Sequence, residues 1–434
     1  MPEYVFEVPM TMHESRLRIA VLGAGVAGIV AAYLLSRRHD VTLYERNDYI
    51  GGHTNTIAVP GGKDGSIPVD TGFIVFNDRT YPLFNRFLDQ LGVRAGKTDM
   101  SFSYADQQSS LCYASRDLDS LFAQRKNLFR PSFWRFVDGM LRFNRITRSR
   151  LHEGALSRIS LGEHLEREGF GDSVARAFVL PMAGAIWSAP DGDIRSFPAE
   201  TFARFYENHG LLSLRDHPQW YYVAGGSSTY VRAFLKSFPG GVHLSSPVVA
   251  VERTEAGIVL KLPGGEERYD GAVIATHADE ALLLLADPSD DEVRLLLPWR
   301  YAANRTILHR DTSFLPPNRR AWASWNYIRP AGGKERDPVT LTYDMTRLQH
   351  LPADAGRICV TLNPWREIAP SSVIRSFVYS HPMYSFDALA TQSQLPILNG
   401  RRHTYFCGSY FGYGFHEDAV RSAVEVARQF GIEL

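Results

Sequence analysis

The chain is poor in everything that would mark a specialised class. It has three cysteines, Cys112, Cys359 and Cys407. They are too few and too far apart for a CxxC pair, a zinc ligand set or a disulfide framework, and this fits a reducing compartment. Neither charge is in excess, with 47 basic residues against 47 acidic. That balance argues against a dedicated nucleic-acid binder. No run of about 18 apolar residues occurs, so no membrane-spanning helix is expected. Residues 1–16 carry Glu3, Glu7 and Glu14 and lack the apolar centre of a secretory leader. No histidine pair has metal-ligand spacing on a recognisable helix, and no metal is expected. Lysine is scarce, six of the 47 basic residues, which reads as codon usage rather than function. The remainder, 44% hydrophobic and 22% charged over 434 residues, is an ordinary globular composition with room for two or three domains and a sizeable core. A cytoplasmic, multidomain enzyme is the expectation.

The informative stretch begins at residue 18. Residues 18–22 (RIAVL) form a short apolar run of the kind that makes a buried parallel strand. It leads directly into Gly23, Gly25 and Gly28 at GxGxxG spacing. Residues 29–38 read as a helix, and residues 41–44 as a second strand ending at Glu45. In such a unit the first glycine permits the tight turn, the second lets a pyrophosphate approach the backbone, and the third lets the helix pack on the strand. Val26 and Ala27 open the helix, whose free N–H groups and dipole favour phosphate. Glu45, 22 residues past Gly23, stands where a carboxylate accepts hydrogen bonds from a ribose hydroxyl. This predicts a Rossmann-like α/β fold that binds a dinucleotide.

The residues that follow favour FAD over NAD. Gly51, Gly52, His53 and Thr54 come soon after the ribose acid, and Gly72 follows a further strand-like run. A second glycine pair lets the chain pass close to a ligand longer than an adenosine half. The chain then enters a long polar and aromatic insertion instead of another βαβ unit. With Glu45-Arg46, Gly51-Gly52, the segments 247–251 and 269–276, and the run from Gly408 through Gly414 to His416, Glu417 and Asp418, the sequence resembles the flavin-containing amine oxidase, protoporphyrinogen oxidase and phytoene desaturase superfamily over nearly its whole length.

The resemblance implies FAD as cofactor. It also implies contacts from Arg46, His53, Thr54, Gly72, Val249, Thr276, Gly408, Glu417 and Asp418, and a helix starting near His416 that aims its N–H groups at the flavin. It implies a GR2-type FAD domain from residues 15–76, 224–290 and 396–434. A second, α+β substrate domain from 77–223 and 291–395 would rest on a mixed or antiparallel sheet. Residues 181–188, 220–227, 341–345 and 361–365 look like a narrower bacterial branch of predicted NAD/FAD-binding proteins, many of them encoded beside cyclopropane-fatty-acid-synthase-like methyltransferases. Ala419 stands where that branch has glycine, and alanine suits a helix. The likeness implies an acyl-lipid substrate, dehydrogenated by hydride transfer to flavin N5, and a methyltransferase as partner. Amine oxidation, redox-neutral double-bond isomerisation and a non-catalytic FAD-bound role remain open alternatives.

Amine oxidases of the superfamily carry a lysine in a middle-domain strand. Residues 301–309 contain none, and the next lysine, Lys334, falls in a loop. Unless that strand is aligned elsewhere, this suits a substrate that is not an amine. His416 and Tyr413 are the candidates for catalysis, against helix capping for the first and plain packing for the second. Trp187, Tyr222, Tyr343 and Trp365 are candidates for the substrate cavity, against an ordinary core role. Cys407 is expected to point into the core rather than hold a flavin covalently. Asn77 or Asp78 is placed to cap a helix running to Leu91, and Ser160 with Glu163 forms a capping box. Residues 303–308, 339–343 and 357–362 read as strands flooring the cavity, and 311–320 and 329–337 as surface loops.

Residues 121–150 hold eight basic residues against one acid, Asp138. Phe129, Phe133, Phe136, Met140 and Phe143 recur there at three- and four-residue steps, one apolar helical stripe. Two readings stand. One is a core-packed helix with a solvated basic face. The other is a helix that lies on an anionic membrane through Trp134 and its arginines, which would make the enzyme peripheral to the inner membrane face.

Overall fold

The apolar run at Arg18–Leu22 is the middle strand of a five-stranded, wholly parallel sheet in a computed structural model that describes residues 16–62, 65–213 and 217–434. The reading of residues 1–15 lies outside them. Asp40–Tyr44 and then Gly241–His243 flank the middle strand on one side, Gly271–Ile274 and then Thr404–Phe406 on the other. Helix Val26–Leu35 packs against helix His416–Gln429, and all but one of its ten residues are buried. A helix that is apolar all round belongs inside a protein. An antiparallel meander, Ala250–Thr254, Gly257–Leu262 and Gly265–Tyr269, accompanies this sheet.

The second sheet has seven strands, in the order Val373–Met383, Arg300–His309, Cys359–Leu362, Leu341–Asp344, Trp325–Arg329, Phe102–Asp106, Cys112–Ala114. Trp325–Arg329 and Phe102–Asp106 run parallel, and every other neighbouring pair is antiparallel. The segments 303–308, 339–343 and 357–362 therefore fall in or around three adjacent strands of a mixed sheet. The fold is α/β, a Rossmann-like unit combined with an α+β unit.

Local chemistry explains several element ends. Ser160 Oγ accepts from the Glu163 N–H at 3.1 Å, and the Glu163 carboxylate accepts from the Ser160 N–H at 2.7 Å, which closes the capping box. The expected cap at Asn77 or Asp78 is corrected. Asn77 Oδ1 accepts from the N–H groups of Arg79 and Thr80, a turn ahead of the helix, and the helix itself is Pro82–Gln90. Its early N–H groups, on Leu83 and Phe84, go to the Glu417 carboxylate at 3.0 and 2.9 Å. The expected surface loops are also partly interior. Phe314 and Leu315 are buried, and Arg329 ends a strand, buried and paired with Asp191 at 2.6 Å.

Helix Pro131–His152 sets Phe133, Phe136, Phe143 and Thr147 into the core. Phe129 precedes the helix and is 86% exposed, so it does not belong to the packed stripe. Among the described residues, no helix is long and apolar enough to cross a membrane.

Candidate cofactor and substrate site

One continuous cavity of about 1030 Å³ starts at the carboxyl ends of the parallel strands and runs into the side of the seven-stranded sheet. Ligands of open parallel sheets bind at this end of the strands.

The glycines of the first turn divide the work. Gly23 has φ +97°. A Cβ on Gly28 would lie 1.9 Å from the Gly23 carbonyl oxygen, whereas one on Gly25 would meet nothing within 4 Å. Gly28 is therefore a packing requirement, and Gly25 faces open cleft. The helix behind it has no side-chain cap, so Val26 and Ala27 present free N–H groups to the cavity they line.

Glu45 is buried. Its Oε2 accepts from the Ala24 N–H at 2.9 Å, and its Oε1 accepts from the Asn47 N–H and Nδ2 at 2.9 and 2.7 Å. A carboxylate offers about four acceptor sites, so one on Oε2 remains for a ribose hydroxyl. The second glycine turn closes over the first. Gly51 N–H donates to the Ala24 carbonyl at 2.8 Å, and a Cβ on Gly52 would lie 3.3 Å from Gly25 Cα. Arg46, held by Glu280 at 2.8 Å, lines the cleft together with His53, Gly72, Thr276 and Gly408. The open face at Gly25, the uncapped helix and the spare acceptor on Glu45 fit the pyrophosphate and ribose of FAD.

Of the expected cofactor contacts Thr54 is corrected, and Val249, Glu417 and Asp418 are placed as follows. Thr54 is buried away from the cavity, its hydroxyl bonded to Tyr230 Oη and to His416 Nε2. Val249 lines the cleft, but its N–H is spent on the Lys261 carbonyl at 2.8 Å. Backbone groups alternate sides along an extended chain, and the N–H of the preceding residue, Val248, has no acceptor among the described residues. Glu417 caps helix Pro82–Gln90, as above. Asp418 accepts from the N–H groups of Tyr413 and Phe415 at 2.9 and 3.0 Å and pairs with Arg421. On the first turn His416 and Ala419, three residues apart, face the cavity, and 417 and 418 fall on its other sides.

His416, the acid–base candidate, lies in the cavity wall. Its ring stacks on Phe73 at 3.6 Å, and its Nε2 lies 3.2 Å from Thr54 Oγ1 and 3.1 Å from Tyr230 Oη. Burial pushes its pKa down to about 3. It is a neutral aromatic wedge whose Nε2 is already engaged. Tyr413 stands in the cavity wall, its hydroxyl pushed above the usual tyrosine range by burial, so it remains protonated at neutral pH.

In the substrate half, Phe102, Met140, Phe178, Met182, Ile186, Trp187, Phe205, Trp220, Trp325, Tyr343 and Tyr384 form the wall. Trp187 and Tyr343 are thus in the cavity. Tyr222 is not; its ring crosses Gly96 and faces a shallow groove beside His350. Trp365 is not either; it packs on Phe314 at 5.9 Å beneath Arg366. Trp220, Trp325, Phe178, Met182 and Ile186 were missed, although the last three recur every four residues, a helical spacing.

Asp99 is the charged residue of this half among the described lining residues. It is engaged by Arg347 at 3.4 Å and by the hydroxyls of Ser101 and Ser324 at 2.8 and 2.9 Å. No described lining residue is a lysine, and Lys334 lies outside the cavity. On strand Arg300–His309 residues 306–309 are buried, and so is Asn304. Its Oδ1 accepts from Asn363 Nδ2 at 2.7 Å, and its Nδ2 donates to the Ala302 carbonyl at 3.1 Å and to His381 Nδ1 at 3.0 Å. With Nδ1 an acceptor, the neutral imidazole carries its proton on Nε2. His381 lines the cavity 5.3 Å from the His53 ring, and burial, with His277 adding to it, pushes its pKa down to about 4. The indole N–H groups of Trp187 and Trp325 are buried in the same wall with no partner among the described residues.

A glycine turn pinned by a buried acid and covered by a second glycine turn, with a helix amino terminus across the same cleft, defines a dinucleotide-binding protein. The chain belongs to the flavin containing amine oxidoreductase family, whose match spans residues 26–430, and its cofactor is FAD. An L-amino-acid oxidase of Siganus canaliculatus is 23% identical over 288 residues, 62% of this chain and 52% of that protein. The chain thus matches about half the length of that relative. Among solved structures, cyclohexylamine oxidase from Brevibacterium oxydans superposes with TM-score 0.69 at 17% identity, over 96% of this chain and 99% of the other. A CLA-producing fatty acid isomerase from P. acnes superposes with TM-score 0.65 at 16% identity, over 95% and 98%. At these identities the likeness is one of fold. The same fold serves an amine oxidase and a fatty acid isomerase, so fold does not choose the substrate.

Proposed function

We propose that this protein is an FAD-dependent oxidoreductase that dehydrogenates a long apolar substrate, an acyl chain of a fatty acid or phospholipid. The observation that carries the reading is the substrate half of the cavity, walled by aromatic and aliphatic side chains, with the one carboxylate among its described residues, Asp99, already engaged. An ammonium entering this wall would find no free counter-charge among the described residues, and an unpaired buried charge costs several kcal/mol. An amino acid would bury a carboxylate as well. An acyl chain gains about 0.8 kcal/mol for each methylene removed from water.

When bound, FAD supplies the two-electron acceptor for a hydride. The chain supplies the rest. The aromatic wall excludes water and orients the chain. The indole N–H groups of Trp187 and Trp325 are buried, so these residues contribute apolar contact. His381 holds a proton at Nε2, fixed there by Asn304, as a neutral donor. The likeness of residues 181–188 and 361–365 to the branch encoded beside lipid methyltransferases supports the acyl substrate and makes such a methyltransferase the partner.

The test is anaerobic flavin spectroscopy of the purified holoenzyme with acyl phospholipids and, separately, a panel of amines. Bleaching by the lipids is expected. Bleaching by amines alone overturns the reading, and a shifted double bond without net bleaching turns it into an isomerase.

A further inference from the structure

Helix Pro131–His152 is apolar on two faces. Phe133, Phe136 and Phe143 pack inward. Trp134, Val137 and Leu141 occupy a second face at three- and four-residue steps, with Trp134 49% and Leu141 43% exposed. The chain just before the helix extends this face. Trp134 Nε1 donates to the Leu128 carbonyl at 3.0 Å, and its ring lies 5.2 Å from Phe122. Phe129 is nearly fully exposed, and Leu118 is 75% exposed. Five of the exposed large apolar side chains fall between residues 118 and 141. A contiguous patch of this kind on a folded surface marks a contact site.

Charge and position identify what it contacts. Lys126, Arg130, Arg135 and Arg145 are exposed around the patch, against one exposed acid on this face of the helix, Asp138, and these four form no ion pair among the described residues. Arg142, by contrast, is committed to the Glu168 carbonyl and the Phe170 ring, so it does not belong to the set. Leu141 is both exposed and part of the cavity wall, next to Met140 and Asn144. The patch is therefore continuous with the rim of the cavity. Tryptophan and phenylalanine backed by unpaired lysine and arginine match the interface of an anionic bilayer, with rings at the headgroup level and cations on the phosphates.

We infer that residues 118–145 dock this protein on an anionic phospholipid surface, with the rim at Leu141 turned toward the bilayer. The inference rests on the patch itself and not on which bond the enzyme oxidises.

Co-sedimentation of the holoenzyme with vesicles tests it without turnover. One set is phosphatidylcholine alone, the other phosphatidylcholine mixed with phosphatidylglycerol. Binding to the mixed vesicles is expected, weakened by salt. Each basic residue near such a surface contributes about fivefold, so Lys126→Glu, Arg130→Glu and Arg135→Glu together should reduce partitioning at least a hundredfold. Phe129→Ser with Leu118→Ser should weaken binding to both lipid sets, and these exposed positions leave the flavin spectrum unchanged. Trp134→Ser is a second apolar variant, read only if its flavin content and melting match the parent. Absence of binding to mixed vesicles at low salt overturns the inference, as does binding by the charge-reversed variant equal to the parent. A dimer in solution that the Phe129 and Leu118 changes dissolve would also overturn it, assigning the patch to a second copy of the chain.

Discussion

Gly25 and Gly28 stand three residues apart in one motif, yet alanine at each should break a different link. At Gly28 the added methyl would sit 1.9 Å from the Gly23 carbonyl oxygen, where ordinary contact begins near 3.4 Å. The helix must move off its strand by more than an ångström. Overpacking of this kind costs about 1–3 kcal/mol, only partly offset by about 1 kcal/mol of better helix propensity. The Gly28→Ala apoprotein should therefore melt several degrees lower and take up FAD poorly.

At Gly25 φ is −71° and ψ 179°, an ordinary extended conformation, and nothing lies within 4 Å. The Gly25→Ala apoprotein should melt at or slightly above the parent, through a stiffer unfolded chain worth about 0.4–1 kcal/mol. Its methyl instead occupies the space a pyrophosphate needs. A tenfold loss of FAD affinity equals about 1.4 kcal/mol, and the stabilisation by added FAD shrinks by the same amount. Differential scanning fluorimetry of apoprotein and FAD-loaded protein, with a flavin fluorescence titration, separates the two. A Gly25→Ala apoprotein as unstable as Gly28→Ala, or one that binds FAD like the parent, refutes the reasoning.

His381→Phe deletes the Nε2 donor while leaving FAD content intact, and the anaerobic rate of flavin reduction should fall about ten- to a hundredfold. Asn304→Asp puts an acceptor on Nδ1, moves the imidazole proton to that atom and raises the His381 pKa, so the acid limb of the rate profile should shift to higher pH. An unshifted profile would remove His381 from the site's proton chemistry. The pH dependence of stability has two opposing parts. Burial lowers His209, His309, His381 and His416 to about 3 or 4, so their contribution is complete above about 6.5 and is lost as pH falls toward 4. Burial raises Glu417 to about 7, so its contribution is present below about 4.5 and is lost as pH rises through 7. Glu417→Gln should accordingly lose melting temperature relative to the parent at pH 5 and gain on it at pH 8, and a constant difference would contradict that sign.

The first turn was legible because a dinucleotide constrains residues that are neighbours in the chain: Gly23, Gly25, Gly28 and Glu45 lie in one short stretch. The rest of the site depends on pairings across long separations. Trp220 and Tyr222 share a strand, and only its start reaches the cavity. Trp365 follows strand Cys359–Leu362 but turns behind Phe314. His381 owes its tautomer to Asn304, 77 residues away, and a lone histidine in a polar run carries no sign of that. Glu417 looked like a cofactor contact because it opens the flavin-facing helix. Its partners are the N–H groups of a helix more than 330 residues earlier. Helix Pro131–His152 showed its phenylalanine stripe plainly. The second stripe has the same spacing, and periodicity alone does not say which face meets the core.

These details converge on one property of the cavity. His416 is stacked and neutral, His381 is neutral and held by an amide, and Asp99 is paired with Arg347 and two hydroxyls. A wall without free charge among its described residues gives up selection by ionic contact. Selection then falls to shape, to a neutral donor at His381 Nε2, and to the route of delivery. Leu141 is where shape and route meet, because it is wall on one side and exposed apolar surface on the other. A charged substrate would gain nothing from that route. A chain drawn from a bilayer passes from one apolar phase into another, and the cost of exposing it to water is never incurred.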